Sequence, residues 1–200
     1  MIKRILLLIT LFLMISPAFV NAGEVYRSLN DKIRVRNRFM DLKTFAYFAA
    51  ETQRWSLIIS NDASVPQKEA KGETIKEILD NYCNQTEFGW RFVNDCLYIA
   101  NERELSSFFK QFPVLEMQLP DGIKNATYSG YFKNIELSML CVLLSSVSNI
   151  KISVANSFDT NVMMRVNGMG WKHVLLAIVH LNRYKLNISD FSIVISPETR

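Results

Sequence analysis

From Lys32 to Phe39 basic and apolar residues alternate (Lys-Ile-Arg-Val-Arg-Asn-Arg-Phe), the period-two signature of a half-exposed strand. Asp41 then stands where a helix cap is expected, and Leu42, Phe45, Phe48, Ala49 and Thr52 follow at helical spacing. Trp55 to Ser60 reads as extended. A polar turn with Pro66 leads to a second helix from about Thr74 to Cys83, with Ile75, Ile78, Leu79 and Tyr82 on one side. Phe88 to Val93 and Cys96 to Ala100, joined by Asn94-Asp95, form a hairpin.

The same order of patterns returns further along. Tyr128 to Phe132 is a strand, Ile135 to Asn149 a helix, and Lys151 to Ala155 and Asn161 to Val166 are strands. Trp171 to Asn182 is a helix, and Tyr184 to Ile188 pairs through a Ser189-Asp190 turn with Phe191 to Ile195. At an offset of 95, Leu42 meets Leu137, Phe45 meets Leu140, Ala49 meets Leu144, Leu57 meets Ile152 and Asn61 meets Asn156. At an offset of 96, Ile75 meets Trp171, Ile78 meets Val174, Leu79 meets Leu175, and Phe88, Trp90 and Phe92 meet Tyr184, Leu186 and Ile188. Matched apolar positions across successive elements point to one supersecondary unit written twice. The expectation is an α+β fold of two tandem β-α-β-β-α-β-β modules, each with two helices packed on small mixed sheets. The first spans residues 23–100 and the second 126–200. Residues 101–125 are a linker with a short helix at Glu102 to Phe109 and an extra strand at Pro113 to Leu119.

The first 22 residues belong to neither copy. Lys3 and Arg4 make a positive start, Ile5 to Ile15 is an apolar run of eleven residues, and Ser16 to Ala22 ends in a small residue suited to cleavage. A spanning anchor needs roughly 20 apolar residues, and Pro17 and Asn21 interrupt the run. Export to the bacterial periplasm is expected, with residues 1–22 as the signal peptide. Without Lys3 and Arg4 the chain carries 21 basic against 19 acidic residues. That surplus argues against a nucleic-acid partner, which calls for a dense basic face. Hydrophobic residues at 49% and charged residues at 21% supply a core and exclude wholesale disorder.

Export makes the three cysteines worth weighing. Cys83 and Cys96, thirteen positions apart, are the candidate disulfide; the alternative is that both are small buried apolar residues. Cys141 falls in an apolar helix as a core thiol. His173 and His180 lie seven apart on one predicted helix and read as packing residues. No metal-ligand spacing, Walker sequence, Gly-x-Ser-x-Gly or Gly-x-Gly-x-x-Gly occurs. No catalytic, metal or cofactor residue is assigned, no cofactor is expected, and the chain reads as a non-enzyme.

The stretch from Asn134 to Asn156, followed by Met163 to Ile178 and the closing hairpin, resembles the short amino-terminal module of secretins and TonB-dependent receptors. In that family a leucine-bearing helix leads to a strand like Ile150 to Val154. A valine-rich strand, a small turn often with Trp and a second helix follow, as at Trp171. The first copy matches in layout, but its Gln67 to Lys71 lacks the apolar alternation of the valine-rich strand. The resemblance implies a periplasmic module that holds other proteins, at the inner end of secretin channels for secretion, type IV pili or filamentous phage, or in accessory proteins of such machines. With no pore segment or receptor barrel before Arg200, a stand-alone subunit is expected. Its partners are envelope proteins, a secretin or another machine subunit, and it meets the membrane only through them. A periplasmic ligand- or peptidoglycan-binding protein is the alternative, and an aromatic-lined pocket between the copies would favour it.

Two features are candidates for partner binding. Lys32, Arg34, Arg36 and Arg38 place four cations on one strand face, fit either for an acidic partner or for a solvated face, while Ile33, Val35 and Phe39 turn inward. Tyr128 and Tyr131, with Phe132 beside Gly130, are either core or part of a sheet edge open to strand addition.

Overall fold

The computed structural model describes residues 28–35, 39–155, 158–190 and 192–198. The expected signal peptide, with Arg36 and Arg38, lies outside the described residues. In chain order the elements are β1 (Phe39–Met40), α1 (Leu42–Gln53), β2 (Ser56–Ile59), β3 (Lys68–Glu69), α2 (Ile75–Cys83), β4 (Phe88–Val93) and β5 (Cys96–Asn101). They continue with α3 (Glu102–Gln118), β6 (Thr127–Glu136), α4 (Leu137–Ser148), β7 (Lys151–Val154), β8 (Asn161–Gly170), α5 (Trp171–Leu181), β9 (Tyr184–Ser189) and β10 (Ser192–Pro197). The fold is α+β with small sheets, as expected.

Local chemistry sets many of the element ends. The Asp41 carboxylate accepts the Thr44 N–H at 2.8 Å and opens α1, which closes where Arg54 turns left-handed at φ 56°. Thr74 and Glu77 form a reciprocal capping box on α2. Asn94 and Asp95 both have positive φ, 49° and 55°, the conformation that matches a two-residue turn to the twist of the β4–β5 hairpin.

Three segments differ from the sequence expectation, the shortest being Ile135-Glu136, expected to begin a helix but paired with Val162 and Asn161 as the end of β6. Among the described residues, the strand expected over Lys32 to Phe39 is seen as a bridge between Lys32 and Thr74 and the short β1, which pairs with an equally short β3. Ile33 and Val35 are half-buried and Lys32 and Arg34 exposed, so the alternation holds there, but Phe39 is exposed rather than turned inward. A strand extends only as far as a partner backbone runs beside it, and the polar Lys68-Glu69 offers two residues. The expected linker is mostly α3, a helix of 17 residues that continues through Pro113 where a strand was expected. Leu105 and Phe108 are buried, and Phe109, Phe112 and Leu115 pack beside them. Steps of three and four residues put all five on one helical stripe, whose burial outweighs the N–H that Pro113 lacks.

The largest sheet has strand order β4-β5-β2-β8-β6. Its first three strands come from the first half of the chain and its last two from the second. The sheet separates two cores. Leu57, Ile59, Leu97 and Ile99 face α1 and α2, while Ile58, Cys96, Tyr98, Ala100, Met164 and Val166 face a core shared with α3, α4 and α5. This division decides the disulfide question. Cys96 belongs to one core and Cys83 packs against the other, on opposite sides of the sheet, so both are free thiols, Cys96 buried as the alternative has it and Cys83 half-buried.

The pairing in the two halves follows one plan. Three strands run β4-β5-β2 in the first half and β9-β10-β7 in the three-stranded sheet of the second, each with one antiparallel and one parallel neighbour. Ser56 pairs with Cys96, and Lys151, 95 positions after Ser56, pairs with Ser192, 96 after Cys96. Phe88 pairs with Asn101 as Tyr184 pairs with Pro197. Asn149 closes α4 at φ 59°, as Arg54 closes α1. The halves differ at one edge: β8 lies antiparallel along the outer side of β2, whereas among the described residues no strand lies there along β7. On β7 the Ser145 hydroxyl accepts the Ile152 N–H at 2.8 Å and lies 3.2 Å from the Ile152 carbonyl oxygen.

Candidate protein-docking surface

Because β8 joins β2 through the pairs Leu57 with Arg165, Ile58 with Met164 and Ile59 with Met163, its partner β6 becomes the outermost strand of the five. At ten residues it is long for an edge strand. Its register with β8 shifts between Tyr128 and Gly130 and again between Phe132 and Ile135, the mark of bulges that bend an edge. At the first shift the Ser129 hydroxyl accepts the Gly168 N–H at 2.8 Å and faces Asn167. A Cβ at Gly130 would sit 2.6 Å from the Phe132 ring and 2.8 Å from the Tyr128 hydroxyl, so the strand needs glycine there to pass between them.

The two tyrosines of the sequence reading part company on this strand. Tyr128, 7% exposed, enters the second core, and burial raises its hydroxyl above the ordinary tyrosine range. Tyr131, 50% exposed, stands on the opposite face, where the Arg165 guanidinium lies 4.3 Å from its ring centroid. Nearby the Lys133 ammonium lies 4.9 Å from the ring of Tyr47, which α1 contributes. The Arg165 Nε is buried without a hydrogen-bond partner. Arg165, Lys133 and Tyr47 were not singled out in the sequence. The signal for Arg165 was present: Val162, Met164 and Val166 alternate with Met163 and Arg165, which places one cation on an otherwise apolar strand.

The basic stripe behaves differently. Lys32 is exposed and ion-paired to Glu73 at 2.7 Å, a contact that raises the lysine pKa and lowers the carboxyl's. Arg34 is exposed on irregular chain, and Arg36 and Arg38 lie outside the described residues. Of these four cations the described residues thus place two, Lys32 and Arg34, both exposed, on chain that forms a single bridge to Thr74.

The cysteines and histidines are turned to packing. Burial pushes the thiols of Cys96 and Cys141 up to about 12 and that of Cys83 to about 11. His173 Nε2 lies 2.6 Å from the Tyr98 hydroxyl under the rings of Phe108 and Phe112, and burial lowers its pKa. His180 packs against Phe108 and is lowered by the same cause, opposed by Glu104 and Glu198. Among the described residues no cluster of three His, Cys, Asp or Glu side chains suits a metal ion, and no helix is long and apolar enough to cross a membrane.

A polar cleft of about 920 Å³ lies where the halves meet, between α3, β9 and the loop after β2. Asn61 spans it: its amide donates to Tyr184 Oη at 3.1 Å and Thr160 Oγ1 at 3.3 Å, and its backbone N–H donates to Asn182 Oδ1 at 2.7 Å. Arg183 Nε lies 3.2 Å from Glu104 Oε1 on the same wall. Amides and charges dominate this lining, with Tyr184 as its aromatic wall. No family model matches the chain, and no curated protein or solved structure matches it either.

Proposed function

We propose that the chain is a non-enzymatic periplasmic interaction subunit of a secretin-linked secretion, type IV pilus or conjugation machine, built from two copies of the short secretin-like module. The observation that carries this reading is β6, a ten-residue edge strand with Tyr131 exposed beside it. An edge strand presents unpaired backbone groups, and an extended partner segment can extend the sheet across it. The repeated strand order and the resemblance of Asn134 to Ile195 to the secretin module point to the kind of machine.

A photo-cross-linker placed at Tyr131 in living cells tests the proposal. The expected adduct holds an envelope machine subunit, identified by mass spectrometry, and is missing when the cross-linker replaces exposed Met117 on α3. Identical adducts from both positions, or none from Tyr131, would overturn it. A second reading, a ligand- or peptidoglycan-binding protein, would use the polar cleft around Asn61, whose lining includes Tyr184 but is not the aromatic pocket that this reading calls for. Retention on purified cell wall, lost in Tyr184→Ala, would support that reading instead.

A further inference from the structure

We infer that the surface beside β6 receives an extended acidic segment of a partner protein, whose backbone pairs with β6 and whose carboxylates meet Lys133 and Arg165. The inference rests on the strand-addition reading above and adds the chemistry of the partner. The ion pairs found among the described residues join other groups: Lys32 with Glu73, Lys76 with Asp80, Arg91 with Glu102, Asp121 with Lys124 and Lys172, and Arg183 with Glu104. The two cations of this face rest on Tyr131 and Tyr47 instead. A guanidinium has five donors, and the Nε of Arg165 is out of solvent with no acceptor.

The geometry suits an added strand. Neighbouring strands lie about 4.8 Å apart, so a segment on β6 runs roughly 10 Å from β8. A Glu or Asp side chain and the long Arg165 side chain together span that gap, and Lys133 on β6 itself is nearer. Alternate residues of the incoming segment fall on the same face as Tyr131, so an acidic residue at every second position meets this patch. A second copy of the chain fits poorly: twofold pairing of β6 with β6 would continue one face into the other and set Lys133 and Arg165 beside their own images.

The test uses the purified protein with two labelled decapeptides, one alternating Glu and Val and the other Lys and Val. Binding is read by fluorescence anisotropy and the contact by hydrogen exchange of the β6 amides. The acidic peptide is expected to bind, to protect Thr127–Glu136, and to weaken as salt is raised. Lys133→Glu, a change on an exposed side chain, and Arg165→Gln together lower its affinity on the order of tenfold; Lys133→Glu alone gives part of that loss. If both peptides protect β6 equally, or if Lys133→Glu leaves acidic binding unchanged, the acidic assignment falls while strand addition stands. If neither peptide protects β6, both readings fall.

Discussion

Cys83 and Cys96 illustrate what one residue's neighbours decide. Thirteen positions of chain leave two thiols free to meet, and only the side of the sheet on which each is buried keeps them apart. That side follows from the alternation of Cys96, Tyr98 and Ala100 against Leu97 and Ile99, which the sequence displays, and from which helix covers which face, which it does not. Three thiols per chain are therefore expected after denaturation without reductant, with slow alkylation of the native protein at pH 8, because all three pKa values are raised to about 11 or 12. A thiol-counting assay that finds one would refute the free pair. The histidines give the opposite sign of shift. His173 and His180 hold their pKa values below the ordinary value of about 6.5, so the unfolded chain takes up protons that the folded chain refuses. Their contribution to stability is complete above that value and declines as pH falls through it toward the folded values. Urea midpoints should drop between pH 7 and 5, and the paired change His173→Gln with His180→Gln should flatten that slope.

At the scale of elements, the sequence revealed most where a local rule acts alone: the Asp41 cap, the helix beginning near Thr74, and the Asn94-Asp95 turn. It was least informative about α3, because Pro113 and the alternation after it resemble a strand. The stripe of Leu105, Phe108, Phe112 and Leu115 takes effect only when the second core is there to cover it. The apolar run of α4 shows the reverse. Leu137, Leu140, Cys141 and Leu144 are buried as read, but Met139 and Val142 are 52% and 60% exposed. Replacing either with Ser should change stability by less than about 0.5 kcal/mol, whereas Leu140→Ala should cost about 2–5 kcal/mol, both measured by chemical denaturation. Gly122 is the turn residue with least freedom. Its φ is +49°, and a Cβ there would meet the Ser148 carbonyl oxygen at 2.7 Å. Gly122→Ala should lower stability by about 1–3 kcal/mol in the same assay.

Across the whole molecule, the common strand order of the two halves was legible in apolar positions matched at offsets of 95 and 96; the joining of the halves was not, because it depends on which outer faces are covered. The outward positions nonetheless record it. Ile58, Tyr98 and Ala100 are apolar under α3 and α5, while Ser153, Val194 and Ser196, their counterparts 95 or 96 positions later, are mostly polar and only half-buried or lie on an open edge. Because one sheet serves both cores, calorimetry should show a single unfolding transition, and a fragment ending at Asn101 should aggregate through the bared Ile58, Tyr98 and Ala100 face. The Ser145 hydroxyl on Ile152 bears on a different property, the finite size of the particle. Where the first half has Ala50 and receives β8, the second has a serine that occupies the backbone itself. One hydroxyl thus caps a backbone N–H on the open edge of β7, and Ser145→Ala, which uncovers it, should show edge-to-edge association of chains as light scatter rising with concentration.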